Sequence, residues 1–442
     1  MTDRMETVLD RKREKPLVYG SRDRFLAEAL IGTRIAVSLS DRAILRPLAA
    51  EVAKLAARPV EDDKRDLWYR HNALEPTRPL IFVDLENGWN EVLPPHALRC
   101  QGGLARQWEL ILRKEIFWAT ELQDDAVIRP HFDVPYVHND IDWGVPMTQV
   151  GGDEGGAYTW EPSIKTEDDL ERLRIPRIVV DREATARLGE VAEETLGDLL
   201  PVRLNTRWMS AVGMTSTLAY FRGLEQIMLD MYDNPALIHR LMAFIADGYH
   251  SMLGQLEEDR LLTLNNDGTY IGQAGFGWTK ELPGPDFDGT VRLRDLWGNS
   301  ESQETVGISP AMFAEFIFPY QLRLLGQFGL NCYGCCEPLE ARWHVVERIP
   351  RLRRVSVSPF ANLAAMAEKL GDRYIFSMKP SPTNLAMRTF DEGRVRAELR
   401  QALQTTRHCR VEVILKDTHT LRNNPLRAVR WARIAKEESI RL

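Results

Sequence analysis

The chain has 442 residues, 44% of them hydrophobic, so it can bury a large core arranged as two or three ordinary domains or as one elaborated barrel. Its net charge is −7 and its basic residues are scattered among acidic ones, which argues against a nucleic-acid partner. The opening stretch MTDRMETVLDRKREKP has no apolar run to act as a signal-peptide core. No later window approaches the roughly 20 apolar residues that span a bilayer. A cytoplasmic protein with no membrane partner is expected.

Residues 1–75 read as a charged helical extension: SRDRFLAEALIG and SDRAILRPLAAEVAKLAARP carry apolar residues at three- and four-residue spacing. Residues 76–442 alternate short β-rich runs with amphipathic helical stretches. The runs are RPLIFVDLE (78–86), DDAVIRPHF (124–132), LPVRLNTR (200–207), RLLTLNND (260–267), VRLRDLWG (291–298), GLNCYGC (329–335), RRVSVSP (353–359), RYIFSMKP (373–380) and CRVEVILKDTH (409–419). The helix that opens at SPAMF has Ser309 as its N-cap and Pro310 at its first position. Strand–helix alternation with no GxGxxG after the first run predicts an α/β fold of the (β/α)8 TIM-barrel kind rather than a dinucleotide-binding sheet. Outer helices of such a barrel suit a homodimer.

Two long glycine-rich segments, 144–162 and 272–289, follow predicted strands. In a barrel that puts them at the C-terminal face, where they would serve as lids.

Glu86, Asp133, Asp267 and Asp295 fall where strands are expected to finish. The first three are candidate catalytic acids or bases. Arg207, Trp208, Trp278 and Trp297 lie beside them and would form an aromatic, partly cationic wall for substrate.

Three of the five cysteines and a glutamate crowd into GLNCYGCCEPLE, residues 329–340. In a reducing compartment clustered thiols point to metal or catalysis rather than to a disulfide framework. Strand alternation pairs Cys335 with Glu337, or with Cys336 if the chain turns at once, and leaves Cys332 to packing. A catalytic zinc takes three protein ligands. The candidate set is Cys335, Cys336 and Glu337 with His419, in the last run, as the remaining donor and Asp417 two residues before it.

The runs SPAMFAEFIFPYQLRLLGQFGLNCYGCCEPLEARWHVVERIPRLRRVSVSP, AEKLGDRYIFSMKPSP and VEVILKDTHTLRNNPLRAVRWARIAKE resemble the uroporphyrinogen decarboxylase superfamily, over roughly residues 290–440. Its methyltransferase branch uses zinc and works with corrinoid proteins. In that branch one strand ends His-x-Cys-Gly and the last strand adds a second Cys. Here Tyr333 stands for the histidine, Cys335 matches the cysteine, and LKDTHT has no cysteine. The resemblance thus implies a barrel, zinc, a corrinoid (cobalamin) carrier protein as partner, and transfer of a methyl group between that carrier and a small O-, N- or S-methyl substrate or thiol. ENGWNEVLP stands where the decarboxylase branch has an RQAGR-type run, which disfavours uroporphyrinogen itself. A metal-independent lyase acting on a tetrapyrrole or another acid stays as the alternative, and a redox-active Cys335–Cys336 pair as a third reading.

Overall fold

The computed structural model describes residues 35–139, 141–151, 158–206, 211–272 and 274–441. Helix α1 (Leu39–Ala56) starts where the Ser38 side chain accepts a hydrogen bond from Asp41 N. Leu45, Ala49 and Val52 recur on its buried stripe. Helix α2 (Pro59–Asn72) has proline in its first turn, where a missing N–H costs nothing. The stretch SRDRFLAEALIG, expected as helix, lies outside the described residues. Both helices share one hydrophobic core with the strands that follow, so they are packed as part of the same body.

The strands are β1 (Leu80–Val83), β2 (Phe132–Pro135), β3 (Thr148–Gly151), β4 (Tyr158–Glu161), β5 (Val202–Asn205), β6 (Ala211–Val212), β7 (Trp297–Ser300), β8 (Leu330–Tyr333), β9 (Leu352–Val357), β10 (Ile375–Met378) and β11 (Arg410–Leu415). Seven form one sheet in the order β1-β11-β10-β9-β8-β7-β6, every pair parallel. The last strand therefore lies beside the first, with Leu80 opposite Glu412 and Val83 opposite Leu415. Helices covering such strands explain their almost unbroken burial, visible in the sequence as apolar runs rather than alternation.

Where backbone pairing stops, side chains take over. The free edge of β1 is met by carboxylates: Val83 N donates to Asp124 Oδ2 (2.8 Å) and Ile81 N to Asp125 Oδ2 (2.7 Å). Among the described residues strand β2 pairs only with β5. Between β5 and β7, Thr206 N donates to Thr263 Oγ1, and the Asn265 amide brackets both backbone groups of Trp297 at 2.9 Å. The result is a mixed α/β fold with a parallel sheet, consistent with the barrel type expected. Among the described residues the backbone ladder does not close into eight strands. Asparagine, threonine and aspartate side chains replace ladder bonds at two seams, and no β-propensity signal marks them.

The first part of the segment 272–289, up to residue 279, departs from the lid expectation. Residues 266–279 form a hairpin, with Tyr270 and Phe276 in antiparallel pairing and residue 273 outside the description. The Tyr270 and Phe276 rings lie 5.4 and 4.7 Å from that of Phe82 on β1. A Cβ at Gly275 would stand 2.5 Å from Glu412 on β11 and 2.8 Å from Trp68 on α2. The hairpin thus fills the concave side of the sheet as a plug, and glycine lets it approach that closely. The other glycine-rich segment, 144–162, contains the antiparallel hairpin β3–β4, and its residues 152–157 lie outside the description.

Candidate functional site

In a parallel sheet all C-terminal strand ends face the same way. The residues just past them here are Glu86 after β1, Glu301 after β7, Cys335 and Cys336 after β8, Ser358 after β9, Lys379 after β10, and Lys416 and Asp417 after β11. Gly334, at φ +99°, turns the chain out of β8; a Cβ there would press on Leu339 and on the Ser356 carbonyl. That turn breaks strand alternation and presents two successive thiols.

The backbone of the pair is clamped. Cys335 N donates to Glu337 Oε2 (2.9 Å), and the Cys335 carbonyl accepts from Ser356 Oγ and Lys379 Nζ, both at 3.0 Å. The Cys336 carbonyl accepts from Ser358 Oγ (2.6 Å). The two sulfurs are 3.5 Å apart, and Cys336 Sγ lies 3.6 Å from Asp417 Oδ2. Cys335 is buried, whereas Cys336 is partly exposed.

Asp417 and Glu86 both adopt left-handed backbone, at φ 56° and 46°. Each such conformation in a non-glycine residue costs on the order of 1 kcal/mol and persists only where the surroundings enforce it. They enforce it together: Asp417 N donates to Glu86 Oε2 (2.9 Å), and Lys416 Nζ pairs with Glu86 Oε1 (3.0 Å). Burial works to lower the Lys416 pKa, but Glu86 and then Tyr270, Cys335 and Asp417 outweigh it, so the ammonium stays charged.

The thiols titrate as a pair. The hydrogen bond with Cys335 lowers the Cys336 pKa against burial, and Lys379 and Lys416 add to that lowering. The same hydrogen bond, then burial, holds Cys335 well above the ordinary thiol range. Of the two, Cys336 gives up its proton more readily. Next to them, burial and then Glu304 and Glu337 hold the Glu301 pKa well above the carboxylate range. That shift favours its neutral, protonated form.

Of the predicted acids, Glu86 is in this cluster and Asp133 and Asp267 are not. Asp133 is the second residue of β2 and binds Arg203 Nε (2.8 Å), while Asp267 sits at the foot of the plug hairpin on the same guanidinium (3.0 Å). Asp133 also accepts from the amide of Asn205, the last residue of β5 (3.1 Å). Asp295 is held by Arg292. Trp278 packs edge-on against Tyr69 of α2. Trp297 is 0% exposed and donates from Nε1 to the Gly277 carbonyl, so it has no surface with which to line a pocket. Arg207 and Trp208 lie outside the described residues.

The four predicted metal donors do not converge. Glu337 spends both carboxylate oxygens on Cys335 N and Ser302 N. His419 is exposed, its Nδ1 3.4 Å from the Asn87 amide. Among the described residues no cluster of three or more His, Cys, Asp or Glu is arranged to hold a metal ion. Cys335, Cys336 and Asp417 come nearest to one, with the two spacings given above.

Lys379, Lys416, Glu301 and Tyr270 were missed as site residues. For the lysines the signal was present: FSMK and VILK each set a lysine directly after an apolar strand. A lysine there is 2–3% exposed, which it tolerates only with partners.

No protein-family model matches the sequence, and no curated protein does. Among solved structures the chain is similar to a methyltransferase from Methanosarcina mazei, at 12% identity and a TM-score of 0.47, over 85% of this chain and 97% of that one. So distant a likeness carries no argument about activity. No helix among the described residues is long and apolar enough to cross a membrane.

Proposed function

We propose that this protein is a methyltransferase whose working centre is the Cys335–Cys336 pair beside Asp417, Lys416 and Glu86. The observation that carries the reading is the convergence of these five side chains at the C-terminal ends of β1, β8 and β11. The sequence resemblance set out above supports methyl transfer over other thiol chemistry. Zinc and a corrinoid-protein partner belong to the proposal through that resemblance. Of the donors it implied, Cys335 and Cys336 stand where one metal could reach both, with Asp417 the nearest third. The set does not close, and no step below runs through a metal.

Cys336 supplies the nucleophilic sulfur, and Cys335 holds it as a thiolate by donating its S–H. As the S–C bond to the methyl carbon forms, the bond from that carbon to the leaving atom breaks with its electron pair. Where the leaving atom is oxygen, nitrogen or sulfur, it takes a proton from the Lys416 ammonium, which Glu86 orients; cob(I)alamin leaves with the electron pair and takes none. An incoming nucleophile on the acceptor then displaces the methyl group, passes its proton to Lys416 where that proton was spent, and restores the Cys336 thiolate.

Demethylation of free methylcobalamin by a small thiol, followed by the cobalamin absorbance, tests this reading. The wild type is expected to accelerate it and Cys336→Ala to lose the acceleration. A folded Cys336→Ala enzyme at the wild-type rate overturns the assignment.

The metal-independent lyase finds less support. Two of its three acids, Asp133 and Asp267, are tied to the Arg203 guanidinium.

A further inference from the structure

The two sulfurs stand 3.5 Å apart on consecutive residues, and of the chain's five cysteines the other three are buried away from them. Cys332 points to Arg354, whose Nη1 lies 3.7 Å from its sulfur, and Cys409 toward the Ala367 carbonyl. Cys100 lies by the Asp41 carbonyl. Any thiol exchange that begins at the partly exposed Cys336 therefore has one resolving partner within the chain, Cys335.

We propose that Cys335 and Cys336 form a reversible vicinal disulfide that switches the centre off, with a small-molecule disulfide such as oxidised glutathione as the oxidant. The step balances in two exchanges. The Cys336 thiolate attacks one sulfur of the small disulfide, forming a mixed disulfide and expelling one thiolate. Cys335, giving up its proton, attacks the Cys336 sulfur and expels the second thiolate. The pair loses two electrons and two protons, and the oxidant becomes two thiols.

Backbone geometry makes the bond labile. Adjacent Cα atoms are ~3.8 Å apart, whereas disulfides ordinarily span roughly 4.4–6.8 Å. The ring is therefore strained, and strain raises the reduction potential so that cellular thiols can reopen it. The clamp on the Cys335 carbonyl, from Ser356 and Lys379, adds to this, because that carbonyl belongs to the peptide that joins the cysteines, which cannot relax freely. A disulfide here removes the nucleophile while leaving the fold intact.

This inference needs only the thiol pair and survives if the methyl-transfer reading fails, because its readout is covalent and requires no turnover. The test treats the full chain with oxidised glutathione under native conditions, alkylates the remaining thiols, and maps the tryptic peptides by mass spectrometry. The expected result is an internal Cys335–Cys336 link in wild type, reversed by excess reduced glutathione. In Cys335→Ser a stable glutathione adduct should instead remain on Cys336, which shows attack even though the ring cannot close. A stable glutathione adduct on wild-type Cys336, or full alkylation of both cysteines after treatment, overturns the proposal.

Discussion

Cys336 Sγ lies 3.6 Å from Asp417 Oδ2, although their strands, β8 and β11, are separated in the sheet by β9 and β10. The sheet must curl for those ends to meet, and the hairpin 266–279 fills the concavity that the curl creates.

The contact has an electrostatic sign. The Asp417 carboxylate opposes ionisation of Cys336, whereas Lys379 and Lys416 favour it. Asp417→Asn should therefore lower the midpoint of Cys336 alkylation by iodoacetamide against pH, and Lys416→Met should raise it. A midpoint shift of one unit changes the thiolate fraction by about tenfold below both midpoints. Movement of the two variants in the same direction would refute the arrangement.

Because the donor set does not close, added zinc should be held only weakly, through the two thiols and Asp417 rather than His419. Equilibrium dialysis is then expected to show weaker retention in Cys336→Ser and Asp417→Asn and unchanged retention in His419→Ala. Loss in His419→Ala would restore the ligand set read from the sequence.

Asp125 ties β1 to the C-terminal helix Leu426–Ile440: it accepts from Ile81 N and pairs with Arg78 and Lys436, both at 2.6 Å. Burial alone would raise its pKa, but those partners pull it from 3.8 to about 2. The folded pKa is depressed, so the stabilisation is fully present above the unfolded value and is lost as pH falls through the folded one. Linkage puts it at about 2 kcal/mol. Urea midpoints of wild type and Asp125→Asn should differ at pH 7 and converge between pH 4 and 2. A gap independent of pH would contradict the ionic account.

The plug predicts contrasting glycine substitutions. At Gly275 a methyl group meets Glu412 and Trp68 well inside contact distance, so Gly275→Ala should cost roughly 1–3 kcal/mol. Gly103, in the first turn of the helix Gly103–Phe117, has open space, and Gly103→Ala should be neutral or mildly stabilising. Urea denaturation of both separates a packed hairpin from a mobile lid, for which Gly275→Ala would be silent.

Trp278→Ala should likewise lower stability and leave KM within about twofold, since the ring packs on Tyr69 beside α2. A large KM change at unchanged stability would return it to the substrate wall.

The sequence made the α/β alternation, the Ser309 cap and the GCCE cluster legible, because each is a local pattern: the Ser309 side chain does accept from Met312 N. The seams were not legible, because Asp124, Asp125 and Asn265 act through side chains whose partners are distant in sequence. The strand that holds Asp133 begins at Phe132, where the run 124–132 was expected to finish, because a run of apolar residues does not mark which end of a strand is which. Glu337 looked like a ligand but serves as a backbone cap, a role that only the turn at Gly334 reveals.

The most direct test of the central claim is a single turnover with isotopically labelled methylcobalamin, quenched and mapped by mass spectrometry. The account predicts one labelled methyl group on Cys336 in wild type and none on any residue in Cys336→Ser. Label on another residue, or methyl transfer to acceptor in Cys336→Ser at the wild-type rate, would contradict it.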